Sequence, residues 1–127
     1  MTNAEIDQMI AEKVMGWKFK TIDENTPLRF CLEDGGYILD GKVFRFTIGY
    51  STIEFNPSTN ITDIFKAVDK ILADDKDVQF DLHGTHKDYS AIFFKSGLGM
   101  EILGAGDADT PAMAICMAAL EAVKAPA

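Results

Sequence analysis

The residues best suited to chemistry crowd into one stretch, Asp81-Leu-His83-Gly-Thr-His86-Lys-Asp88-Tyr89, which holds both histidines of the chain. Zinc accepts imidazole nitrogens at such spacing, but a structural site needs four ligands and no cysteine lies close in sequence. The stretch reads as a polar loop, either a plain turn or one whose His83, His86 and Tyr89 touch a ligand or a partner. A second candidate is Gly104-Ala-Gly-Asp-Ala-Asp-Thr110, which leads into a helix. Helix N-termini offer unpaired N–H groups to anions. Here Asp107 and Asp109 would repel a phosphate, and the pattern is neither a P-loop nor a dinucleotide fingerprint. Capping explains those residues, with Thr110 the hydroxyl nearest the helix start.

No activated nucleophile is evident. Ser51, Ser90 and Cys31 lack a G-x-S-x-G or Cys–His setting, and no two carboxylates stand out as acid and base. The expectation is a protein that is not an enzyme and needs no cofactor or metal. Phe93 and Phe94 are adjacent, so on a strand they point to opposite faces. If one face is open, one of the two can stack on a flat ligand such as a purine, and Phe94 is taken as that candidate.

The elements that must position these groups follow from periodicity and turn chemistry. Thr2-Asn-Ala-Glu5 has capping-box spacing, Ile6, Met9, Ile10 and Val14 recur at helical intervals, and Gly16 suits a left-handed stop. A helix is predicted over 3–15. Trp17 to Ile22 alternates as a half-buried strand, and Leu28 to Leu32 is a short one. Asp23 to Pro27 is a connector, and Asp34-Gly-Gly36 a turn. Tyr37–Leu39 and Val43–Ile48 flank Asp40-Gly41, a two-residue hairpin signal. Within the second run, Phe44, Phe46 and Ile48 share one face, and Val43, Arg45 and Thr47 the other. Tyr50 to Phe55 extends the sheet or edges it.

Asn56-Pro-Ser-Thr-Asn60 turns into a second helix, marked by Ile61, Ile64, Phe65, Val68, Ile71 and Leu72. Asp74, Asp75 and Asp77 end it against its own dipole. Val78–Leu82, Ser90–Phe94 and Leu98–Leu103 are further strands. Pro111 opens a third helix with one apolar stripe at Ala112, Ile115, Cys116, Ala119, Leu120 and Val123. Its other face is Ala114, Met117, Ala118 and Ala122, with Glu121 almost its only polar residue. A helix so apolar is buried on more than one side. A sheet on one flank and a second subunit on the other are expected, making the protein a homo-oligomer through this helix. The fold class is α+β: an antiparallel sheet of five to six strands packed with three α-helices, an α/β/α sandwich, in one domain over residues 1–127.

Composition narrows the partners. The 127 residues carry a net charge of -8, with 47% hydrophobic and 25% charged residues. That is ordinary globular usage, and a chain of this length can bury about two-thirds of its unfolded surface. An acidic surface excludes duplex nucleic acid as a general partner, since duplex binding needs a basic face. No apolar run is long enough to span a bilayer, so no membrane association is expected. Cys31 and Cys116 fall in apolar patterns and read as buried free thiols in a reducing cytosol.

Three segments carry a resemblance: Ala11-Glu-Lys-Val-Met-Gly-Trp17, Phe55-Asn-Pro-Ser-Thr-Asn-Ile61 and Ala108-Asp-Thr-Pro-Ala-Met-Ala-Ile-Cys-Met-Ala-Ala-Leu120. They resemble the phage ABA-sandwich domain family, small phage and prophage proteins with an antiparallel sheet and helices. In size and C-terminal helix the chain is also similar to the Thoeris anti-defence sponge family, which binds a cyclic ADP-ribose isomer and sequesters it uncleaved. The resemblance implies a phage protein in the host cytoplasm that holds a small nucleotide-like ligand to counter host defence. In that family basic residues on the last helix can face the ligand phosphates. Met117 and Glu121 stand there instead, leaving Arg45, Lys42, Lys95 and Lys124 as substitutes. The alternatives are an acidic inhibitor docking on a host protein, and an accessory phage protein.

Overall fold

The Thr2 hydroxyl accepts the Glu5 N–H at 3.2 Å and Glu5 reaches back to Thr2, closing the capping box read from the sequence. The computed structural model describes residues 2–21, 28–31, 36–46, 52–97 and 99–124. The predicted first helix is α1 (Asn3–Met9) continued by a π-helical segment (Ile10–Val14), in which the Met15 N–H donates to the Ile10 carbonyl. Gly16, at φ +77°, ends it as expected. Four strands then follow: β1 (Lys20–Thr21), β2 (Leu28–Cys31), β3 (Gly36–Leu39) and β4 (Lys42–Phe46). Asp40 and Gly41 both take positive φ, 51° and 81°, as a two-residue turn demands. Next come β5 (Thr52–Phe55) and α2 (Ile61–Asp74), the helix capped by Asn60, whose side chain accepts the Asp63 N–H at 3.1 Å. The chain continues through β6 (Val78–Thr85), β7 (Asp88–Ser96), β8 (Met100–Ala108) and α3 (Pro111–Lys124). The connector 23–27, Asp34, Gly35, Thr47, Ile48, Tyr50, Ser51, Leu98 and the Cys31 and Phe46 side chains lie outside the described residues.

The class is α+β with antiparallel pairing throughout the described strands, as predicted. The strands divide into two sheets, ordered β1-β2-β3-β4-β5 and β6-β7-β8. The segment α1 packs on β4 of the larger sheet, α3 on β8 and β7 of the smaller, and the helices meet one another between them. Their shared interior is Ile6, Ile10, Ala11, Val14, Ile64, Val68, Ile115 and Ala119, with Phe55 and Phe93 closing it from either sheet. Two buried carboxylates tie the α2 entrance to this core. Asp7 accepts the Ser58 N–H at 2.8 Å, and Asp63 accepts the Asn56 N–H at 3.1 Å.

Helix α3 shows how the smaller sheet is built. Gly104 and Gly106 of β8 face it, and a methyl group on either would strike the backbone of Ala114, Ala118 or Ala122. Small residues on both sides let helix and strand approach closely, and dispersion contacts grow accordingly. The other flank of α3 rests on α2 and the π-helical segment. The double-sided burial that suggested a second subunit is thus supplied within the chain: Ala114, Ile115, Cys116, Ala118 and Ala119 are fully buried, while Met117 is 42% exposed.

Two loop expectations need correcting. His83–Tyr89 is not a loop but the end of a hairpin, with only His86 and Lys87 in the turn. Lys87 carries the required positive φ of 67°. The polar composition that suggested a loop is that of a strand end whose Gly84 lies beneath the ring of its cross-strand neighbour Tyr89. Gly104–Gly106 is likewise strand, because its glycines answer to α3 rather than to an anion.

Candidate functional site

Strand alternation on the smaller sheet separates two faces. Toward the helices point Phe80, Leu82, Ala91, Phe93, Gly104 and Gly106, with Phe80 and Phe93 packed at 4.9 Å between ring centroids. The opposite face is set by register. One row across it is His83–Ser90–Asp107, the next Asp81–Ile92–Ala105, and the third Gln79–Phe94–Ile102. A bulge between Phe93 and Phe94 accommodates Leu103 and keeps Ile102 on the same face as Phe94.

This outer face holds an open depression of about 340 Å³. Ile92, Phe94, Met100 and Ala105 form an apolar floor, and Asp81, His83, Ser90 and Asp107 a polar rim. Met100 and Ile102 are 68% and 56% exposed, extending the apolar surface along the β8 edge. The size falls within the range of small-molecule sites, and the apolar floor with a few convergent polar groups is their usual composition.

The rim is ordered. His83 Nε2 lies 2.8 Å from Asp81 Oδ2, and the Ser90 hydroxyl donates to Asp107 Oδ1 at 2.5 Å. The serine and the imidazole are therefore each engaged with a carboxylate rather than with each other. The relay that would activate Ser90 as a nucleophile, serine to histidine to acid, is not the one formed. Among the described residues no group of three or more His, Cys, Asp or Glu is placed to hold a metal ion. Cys116 lies on the buried flank of α3, and burial pushes its thiol up to about 12, with the Asp7 charge adding to the shift. At neutral pH it is not a thiolate.

The six residues singled out from the sequence scatter. His83 and Phe94 meet in the depression. Tyr89 turns to the helix side, over Gly84, and His86 sits exposed at the hairpin turn. Thr110 caps α3, its hydroxyl accepting the Met113 N–H at 3.3 Å. Arg45 lies on the larger sheet with its guanidinium 4.7 Å from the Trp17 ring centroid, and its Nε is buried without a hydrogen-bond partner among the described residues. Two other proposed phosphate contacts are committed elsewhere: Lys42 to Glu54 at 3.7 Å, and Lys95 to Asp75 at 2.8 Å. That last pairing holds the Asp75 carboxyl below its usual range and raises Lys95.

Ile92 and Met100 were missed, and Asp81, Ser90 and Asp107, each weighed singly, were not brought together. The signal was present in the alternation itself. Carrying the strand at 78–82 through Thr85 puts Asp81 and His83 on one face, and carrying 90–94 across to 102–107 adds Ile92 and Asp107.

The chain is of the α+β class, with antiparallel sheets around helices and a shallow open depression on one sheet face. The chain belongs to the phage ABA sandwich domain family, whose model matches residues 8–120. No curated protein and no solved structure matches it. Among the described residues no helix is long and apolar enough to cross a membrane.

Proposed function

We propose that this protein is a non-catalytic binding protein that receives a small nucleotide-derived molecule on the outer face of β6-β7-β8. The observation that carries the reading is Phe94, held half-buried on an open sheet face beside Ile92 and Met100 while its neighbour Phe93 fills the core. An aromatic side chain on such a face stacks on a flat ring at little entropic cost. The engaged serine and imidazole support holding the ligand over converting it. In a phage-family protein, sequestering a signalling nucleotide intact would counter host anti-phage defence.

Calorimetric titration with cyclic oligonucleotides, cyclic ADP-ribose isomers and nucleosides tests the reading, with chromatography of the recovered ligand. At least one is expected to bind, to emerge unchanged, and to be lost with Phe94→Ala. Absence of binding across the panel, or turnover of the bound molecule, overturns it.

A second reading has its own support. Exposed Met100 and Ile102 carry the apolar surface beyond the depression, and the chain has a net charge of -8. Both suit docking on a basic host protein, an association that salt would weaken.

A further inference from the structure

The rim chemistry specifies the ligand more narrowly. We infer that the depression selects a flat ring bearing N–H donors, with Asp81 and Asp107 as paired acceptors, and turns anionic groups away from the rim. The inference rests on the binding role proposed above.

Two carboxylates stand on one sheet face, on β6 and β8, flanking the apolar strip of β7. Each is oriented by a neighbour through a single oxygen: Asp81 Oδ2 toward His83, and Asp107 Oδ1 toward Ser90. A carboxylate has about four lone-pair sites, so acceptor capacity remains at Asp81 Oδ1 and Asp107 Oδ2. These acceptors already face the depression, where a donor on the ligand can reach them. The lining residues include no lysine or arginine, so a phosphate at the rim would meet two carboxylates and no cation of those types. An amino-substituted purine satisfies both halves of the site, its ring over Ile92 and Phe94 and its amino edge toward an aspartate. Any phosphate it carries must point to solvent.

Isothermal titration with adenosine, purine riboside and adenosine 5′-monophosphate separates the possibilities. Purine riboside keeps the ring and lacks the exocyclic amine. Adenosine is expected to bind about tenfold tighter than purine riboside, because hydrogen bonds to charged groups are the stronger kind. The double variant Asp81→Asn, Asp107→Asn should shrink that gap below about threefold and improve the monophosphate relative to adenosine. Both positions are on the open sheet face, and circular dichroism checks that the variant is folded. Equal affinity of adenosine and purine riboside for the parent protein, or a gap unmoved by the double variant, overturns this inference while leaving a binding role standing. Failure of all three to bind overturns the inference; failure of the wider panel as well overturns the binding role.

Discussion

Replacing Gly106 with alanine probes the helix–strand contact on which the smaller sheet depends. A Cβ built there lies 2.5 Å from the Ala114 carbonyl oxygen, 2.6 Å from the Ala118 nitrogen and 2.7 Å from Met117 Cβ. Two of these are main-chain atoms of α3, so no side-chain rotation relieves the clash, and helix or strand must shift. Overpacking of this kind costs about 1–3 kcal/mol, and opposition from main chain puts the cost at the upper end. Alanine also stiffens the unfolded chain, returning about 0.4–1 kcal/mol. The net loss is about 2 kcal/mol, which lowers Tm by roughly 6–10 °C for a domain of this length. Gly99→Ala is the control, since nothing lies within 4 Å of its Cβ position, and its stability should stay within about 0.5 kcal/mol of the parent. Thermal melts followed by circular dichroism read both. If Gly106→Ala and Gly99→Ala melt together, α3 does not lie on β8 as described.

Three further outcomes are expected. The Asp7 carboxyl is raised above its ordinary value, by burial first and against the lowering effect of its hydrogen bonds from Ser58. The folded state then binds that proton more tightly than the unfolded one. The cost of the charge is full at neutral pH and fades as pH falls through the folded pKa toward the ordinary carboxylate value. Urea melts should therefore show the parent gaining on Asp7→Asn as pH falls from 7 toward about 4, while Asp7→Ala, which strands the Ser58 N–H, loses about 1–3 kcal/mol; a constant parent-to-Asn gap contradicts the burial argument. Thr110→Ala should cost about 1 kcal/mol through the lost cap yet leave ligand affinity unchanged, and a change in affinity would return Thr110 to the site. Peptide mapping after treatment with a thiol reagent at neutral pH should find Cys116 unmodified until denaturant is added, and ready labelling of the native protein would contradict its burial.

Much of the fold was legible because local chemistry and global packing agree there. The capping box at Thr2, the Asp40-Gly41 turn, the Asn56–Asn60 turn into α2 and Pro111 each name a boundary that the structure keeps. Legibility failed where a residue type answers to a distant partner. Gly84 looks like a loop residue until Tyr89 lies over it, and Gly104 and Gly106 look like a flexible approach to a helix until α3 packs against them. The same limit governed the site. The Phe93–Phe94 step announced one aromatic on each face, but which face stays open depends on where α3 docks. The burial of α3 was read correctly, and elements of the same chain cover both its flanks, since periodicity reports that a face is buried and not what covers it. Arg45 looked available for phosphate because its place over Trp17 is a contact across the fold.

The claim everything else depends on is that the outer face of β6-β7-β8 is where a small ring-bearing ligand rests. Methyl-labelled NMR during titration with adenosine reads this most directly, with Ile92 and Met100 on the floor and Met113 and Ile115 on the far side of the sheet as internal references. Saturable shifts confined to Ile92 and Met100 are expected. Shifts at Met113 and Ile115 instead, or none at Ile92 and Met100 with ligand bound, would place the site elsewhere and contradict it.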